Sequence, residues 1–211
     1  MIAYASATGN RKNLDALRGA AWRLFLAPHD RHRSSGLRYA IDNGAWHNWK
    51  KNLPFDDAGF RSLVETHAGA ADFVVIPDKV AAGNESLEFS RLWVGSMPRG
   101  RMLLLVVQDG MTAADVGAFV RNYRCGIFLG GSTEWKLKTM YGWGMLAHGL
   151  GCYYHIGRVN SAKRIRLAAE AAAHSFDGTS ASMYSVKLPI LDTARKQPSL
   201  LTPGIALQES A

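Results

Sequence analysis

Short apolar stretches closed by turn residues recur along the chain at residues 2–6, 23–27, 38–42, 73–77, 102–108, 126–129, 153–157 and 175–177. Runs of this length, rich in β-branched and aromatic residues, predict eight strands. Several, such as Leu103 through Val107, are apolar without interruption, the pattern of strands covered on both faces in a parallel sheet. Between them the periodicity turns helical. The clearest case is 162–173, where Asn160 or Ser161 can cap and Ile165, Ala168, Ala169 and Ala172 recur on one face. Residues 55–67 and 112–123 read the same way, with Thr112 ahead of Asp115 as a capping residue and Asp56-Asp57 as helix-start charge.

Eight strands alternating with helices predict an α/β fold, a compact β/α (TIM-type) barrel. About 250 residues is usual for that fold, so some helices must be reduced or missing. Residues 8–22 leave room for one helix, whereas the polar stretch 28–37 leaves room only for a loop. A doubly wound open sheet competes, because periodicity alone does not exclude it. The domain reading is one catalytic barrel over 1–192 and a C-terminal tail over 193–211.

Composition narrows the class. The chain has 211 residues, 47% of them hydrophobic, enough for a sizeable single core. No stretch approaches the roughly 20 apolar residues of a membrane span, and the N-terminus lacks a charged leader, so the expectation is a cytoplasmic protein without a membrane partner. Cys125 and Cys152 are the sole cysteines and read as core thiols, too few for a disulfide framework or a thiolate zinc cluster. A net charge of +8 favours an anionic partner, nucleic acid first. The basic residues are dispersed, however (Arg11-Lys12, Arg31 and Arg33, Lys50-Lys51, Lys136 and Lys138, Arg158, then Lys163, Arg164 and Arg166), which a solvated basic surface explains equally well.

In a barrel of this type the chemistry sits where the strands end. There the chain places Asp42 and Asn43, Asp78, Gln108 and Asp109, Gly130-Gly131, His155 and Arg158, and Asp177. Any one Asp after a strand can be a helix cap or an Asx turn; so many polar strand ends together make that explanation harder to sustain. His155 has no second ligand at metal spacing, and His47, His67, His148 and His174 are scattered, so no metal site is expected. His155 reads as a residue that orients a neighbour or packs on a sugar.

These segments resemble a known family. Ile41-Asp42-Asn43-Gly44-Ala45-Trp46 resembles the Asp-Ser-Gly-Gly-aromatic segment of tRNA-guanine transglycosylases, and Asp72 through Asp78 their strand ending in a base-recognising Asp. Val106-Val107-Gln108-Asp109-Gly110 is similar to their Val-Gln-Gly segment, Phe128-Leu129-Gly130-Gly131 to their Gly-Gly loop, and Ser175-Phe176-Asp177 to the approach to their nucleophilic Asp. The order holds from about residue 38 to residue 180. The wording Phe-Leu-Gly-Gly-Ser-Thr-Glu-Trp-Lys, His-Ile-Gly-Arg-Val-Asn and Ser-Phe-Asp-Gly-Thr-Ser is closer to the phage and bacterial branch, the DNA-guanine transglycosylases that place 7-deazaguanines in DNA. The cysteines of the tRNA enzymes' zinc site are missing, so no zinc is expected and DNA becomes the preferred substrate. Glu134 does not match the spacing of their glutamate, and that role is not transferred.

The resemblance implies a base exchange in which guanine in DNA is replaced by a free 7-deazaguanine, the co-substrate, with no other cofactor. Asp177 would be the nucleophile toward the anomeric carbon and Asp42 the general acid and base. Asp78, Gln108, Gly130 and Gly131 would read the purine edge, with Trp46 and Ile156 covering its two faces. Arg158 and Lys163, at a strand-to-helix turn, would meet phosphates. Two other readings stand beside this one: a hydrolytic DNA base glycosylase, and a catalytically inactive nucleic-acid-binding barrel.

Overall fold

The computed structural model describes residues 1–30 and 34–197. Eight parallel strands close into a barrel in sequence order: β1 (Ile2–Ser6), β2 (Arg23–Leu26), β3 (Tyr39–Ile41), β4 (Val74–Val75), β5 (Leu103–Val107), β6 (Gly126–Leu129), β7 (Tyr154–Ile156) and β8 (Ser175–Gly178), which returns to pair with β1. All eight coincide with the apolar runs, and the open-sheet alternative is excluded by closure. Helix α1 (Arg11–Gly19) follows β1. After β3 come α2 (Ala45–Lys50) and α3 (Asp57–His67), and after β4, β5, β6 and β7 come α4 (Asn84–Val94), α5 (Ala113–Tyr123), α6 (Thr133–Gly149) and α7 (Ala162–Glu170). The chain then forms the short α8 (Ser180–Met183) and α9 (Leu188–Lys196). Among the described residues no helix joins β2 to β3, the reduced connection expected there; Arg31 and Arg33 lie outside the described residues.

The uninterrupted apolar strands follow from two separate cores. Tyr4, Phe25, Ala40, Phe73, Val75, Leu104, Val106 and Phe128 pack inside the barrel. Their neighbours of opposite parity, among them Ala3, Leu24, Ile41, Val74, Leu105, Ile127 and Ile156, pack outward against the helices. Each large side chain so buried contributes about 1.5–3 kcal/mol. Closing the amino-terminal end, the Asp72 carboxylate accepts from Tyr4 Oη (3.0 Å), Arg23 Nη1 (2.9 Å) and Arg38 Nη2 (2.6 Å).

The caps act where the residue types place them. Thr112 Oγ1 accepts from Asp115 N (3.2 Å) and Asp56 Oδ1 from Gly59 N (2.9 Å). Ser161 caps α7 through Arg164 N (3.3 Å), while Asn160 Oδ1 instead accepts from Ser180 N (3.1 Å) and ties two loops together. The boundary expected after residue 192 falls inside α9. That helix belongs to the barrel shell: Asp192 accepts from Trp22 Nε1 (2.9 Å), and Arg195 donates to Asp192 and to the Ala20 carbonyl (2.9 Å). The remainder of the expected tail, 198–211, lies outside the described residues.

Candidate functional site

Asp177 lies in β8 with parity that aims its side chain into the barrel mouth. In the neighbouring strand β7, paired in register with Ser175, His155 is fully buried and stacked on Phe128 at a centroid distance of 4.6 Å. Its Nε2 is 3.0 Å from Asp177 Oδ1 and its Nδ1 2.7 Å from Ser175 Oγ. Burial pushes the imidazole pKa down more strongly than Asp177 pushes it up, so the ring is neutral and holds one proton. In the tautomer that satisfies both partners, Nε2–H donates to Asp177 Oδ1 and Nδ1 accepts from the Ser175 hydroxyl. On the other side, the Arg158 N–H lies 3.2 Å from both Asp177 oxygens. Gly157 makes this approach possible: a Cβ there would meet the Phe128 ring at 2.6 Å and Asp177 Oδ1 at 3.4 Å.

Asp42 follows directly after β3 and reaches the same mouth. Part of it remains at the surface, yet protein crowds its carboxyl, and that burial, reinforced by the negative charges of Asp177 and Asp78, raises its pKa from 3.8 to about 8. Asp42 thus carries its proton at neutral pH while sharing a field with Asp177.

Asp78, beyond β4, is buried. Its Oδ1 accepts from Asn43 Nδ2 (2.7 Å) and its Oδ2 from Gln108 Nε2. Burial lifts its pKa to about 6 against the pull of these two donors and of Arg158. Gln108 stands one step behind the position expected for it. Its Nε2 also donates to the Lys79 carbonyl (2.9 Å) and its Oε1 accepts from Ala81 N (2.6 Å), so its amide braces the loop that presents Asp78.

The two glycines after β6 are needed for space. A Cβ on Gly130 would meet Val106 Cγ1 at 2.8 Å, and its N–H is already bonded to the Val107 carbonyl (2.9 Å). Gly131 has φ +69°, and a Cβ would fall 2.5 Å from Asp109 Oδ2 and 2.7 Å from the Trp135 ring. Asp109 holds this turn by accepting from Ser132 N (2.7 Å) and Oγ (2.6 Å).

Three further expected roles change in the structure. Ile156 points outward, because His155 takes the inward parity of β7; it packs under the helices and lines a cavity of about 10 Å³ with Met140 and Lys136. It is not available to cover a base. Arg158 does not extend toward solvent: its guanidinium lies 3.8 Å from the centre of the Trp46 ring and donates to the Gly131 carbonyl, crossing the mouth. Lys136 is not part of the solvated surface either. It is buried, its ammonium donates to the Gly157 carbonyl, and burial together with the Arg158 charge lowers its pKa to about 7 despite the opposing pull of Asp177. On α6 it shares the buried face with Met140, Trp143 and Ala147, a placement that emerges only from the fold. Lys163 is exposed on the first turn of α7, the place its position in the sequence predicts.

The arrangement therefore brings together Asp42, Asp78, Asp177, Gly131, Trp46 and Arg158, with His155, Gln108 and Lys136 behind them. Chemically it pairs a carboxylate held by two N–H donors with a carboxyl that keeps its proton. Among the described residues no group of three or more His, Cys, Asp or Glu side chains is placed to hold a metal ion, and no helix is long and apolar enough to cross a membrane.

Two solved structures share the architecture. The fold is similar to that in the Amycolatopsis orientalis BexX/CysO complex (TM-score 0.53, 12% identity, covering 91% of this chain and 87% of that one). It is also similar to Yersinia pestis DHPS solved with a pterine–sulfa conjugate (TM-score 0.50, 10% identity, covering 93% and 94%). At such identities the likeness is one of fold. No protein-family model matches the sequence, and no curated protein matches it. What the chain is shown to be is a closed eight-stranded β/α barrel of TIM type.

Proposed function

We propose that this barrel is a pentosyltransferase that exchanges guanine in DNA for a 7-deazaguanine, with Asp177 as nucleophile and Asp42 as general acid and base. The observation that carries the reading is the split between these two carboxyls. Asp177 receives N–H donors from His155 and Arg158, while Asp42, crowded by protein and further held by the charges of Asp177 and Asp78, keeps its proton to about pH 8. Paired carboxyls in unlike environments are the means by which one site supplies both a nucleophile and an acid.

In the first half-reaction an Asp177 oxygen bonds to C1′ of the target deoxyguanosine. The C1′–N9 bond breaks, its electron pair leaves with the purine, and Asp42 delivers the proton that neutralises it. In the second, the Asp42 carboxylate takes the N9 proton of the incoming base, N9 bonds to C1′, and the ester to Asp177 breaks with its electrons returning to the carboxylate. Two displacements restore the original configuration.

Recognition follows from donors and acceptors. The guanine edge carries N1–H and N2–H₂, a donor array that the Arg158 guanidinium copies. The Gly131 carbonyl that receives Arg158, and the Asp78 carboxylate that feels its charge, are acceptors suited to the base once Arg158 withdraws. Trp46 offers the stacking face. The net charge of +8 suits a polyanion.

The test is nucleoside mass analysis of guanine-containing DNA incubated with the protein and a panel of labelled 7-deazaguanines. Incorporation that Asp177→Ala abolishes supports the reading. Abasic sites formed without incorporation would establish the hydrolytic glycosylase, and binding with neither product the inactive barrel.

A further inference from the structure

Helix α2 leaves the catalytic mouth carrying an exposed aromatic and basic face. Trp46 and Trp49, one turn apart, stack at a centroid distance of 5.1 Å and an interplanar angle of 27°. They remain 38% and 48% exposed, and Leu53, one further turn along, 54%. The opposite side of α2 anchors it: Ala45 is buried, the His47 ring lies 3.6 Å from that of His29, and Asn48 Nδ2 donates to the Pro54 carbonyl (2.8 Å). Lys50 ends the helix and Lys51 follows it, both exposed and with no carboxylate partner among the described residues. Arg158 on the Trp46 ring joins this face to the mouth.

Two large aromatic rings left in water beside free cations form a surface that stacks bases and meets phosphates. A second copy of this chain fits poorly, because an isologous contact would set these lysines against themselves. A duplex fits poorly too, since its paired bases expose no ring faces. We infer that the Trp46–Trp49 face of α2, with Lys50 and Lys51, is a docking platform for single-stranded DNA, with Trp49 stacking on the base next to the target nucleotide. The inference deepens the base-exchange reading, on which it rests for the identity of the target.

Fluorescence anisotropy of labelled oligonucleotides containing one guanine, without added 7-deazaguanine, tests it. Trp49→Ala should weaken single-stranded DNA binding roughly 5- to 150-fold, Trp49→Phe should largely restore it, and the wild type should prefer single strand to duplex. An abasic site at one of the two nucleotides flanking the guanine should impose a similar loss on the wild type and almost none on Trp49→Ala. Replacing Lys50 and Lys51 with Ala should lower the salt slope by about 0.7 for each phosphate that the two ammonium groups no longer neutralise. Equal affinity of Trp49→Ala and wild type, equal abasic penalties in both, tighter binding of RNA of the same sequence, or a change in oligomeric state on Trp49→Ala would each overturn the inference. Binding is read without chemistry, so a failed exchange reaction leaves this test intact. Conversely, a normal exchange rate in a Trp49→Ala protein that binds normally removes the platform alone.

Discussion

At the scale of single residues, the site works by setting similar groups in unlike surroundings. Asp42 sheds its proton near pH 8, well above the 3.8 of an ordinary side chain, so base release should decline as pH rises through about 8. Stability carries the same signature. Between about pH 4 and 8 the folded protein keeps a proton that the unfolded chain has lost, so this group lowers stability as pH rises through that window. Asp42→Asn is therefore expected to abolish exchange while raising the melting temperature more at pH 8.5 than at pH 4, measured by thermal melts across pH. Lys136 has the opposite sign. Its pKa falls from 10.5 to about 7, and stability from this group rises between those values. Lys136→Met should gain on the wild type below pH 7 and lose that advantage toward pH 10. Losing the ammonium bond to the Gly157 carbonyl should slow exchange about tenfold, equivalent to about 1.4 kcal/mol in the barrier. Gly157→Ala, which forces a methyl against Phe128, should cost more, on the order of 100-fold, by displacing Asp177 from His155. Steady-state kinetics with both variants would check the ranking.

At the scale of elements, α6 makes a separate prediction because one of its glycines touches the shell and another does not. A Cβ on Gly144 would lie 2.2 Å from the Ala171 carbonyl oxygen, whereas one on Gly142 meets nothing within 4 Å. Gly144→Ala should destabilise by about 1–3 kcal/mol through overpacking, and Gly142→Ala should stabilise by about 0.5–1 kcal/mol through helix propensity. Chemical denaturation of the two variants would decide. The same helix explains a limit of sequence reading. Its apolar residues spread around the whole circumference, and close approach through Gly144 replaces the usual stripe, so periodicity does not announce it. The strands are legible because both their faces are apolar. For that very reason their parity is silent: nothing in the run from Tyr153 to Gly157 tells whether His155 or Ile156 faces inward, and the barrel interior takes His155. Asp42, Asp78, Asp177 and the two glycines are legible as polar or Cβ-free strand ends. The bracing role of Gln108 and the burial of Lys136 arise from partners 30 and 21 residues away in the chain, which local pattern does not encode.

At the scale of the molecule, closure of eight short strands brings residues from far apart in the chain to one mouth, Asp42 and Asp177 among them. The amino-terminal end is sealed by Asp72 with Tyr4, Arg23 and Arg38, and α9 is tied to the shell through Asp192 and Trp22. The structural ion pairs and the proposed site thus lie at opposite ends of the barrel, the division usual in this architecture. The central claim is that Asp177 bonds to the sugar while Asp42 protonates the departing base. Its most direct test is peptide mapping by mass spectrometry after the protein is incubated with guanine-containing single-stranded DNA and no incoming base. The account predicts a deoxyribose-linked adduct on Asp177, formed by the wild type and absent from Asp42→Asn. Guanine released with no adduct, or an adduct on any other residue, would contradict it.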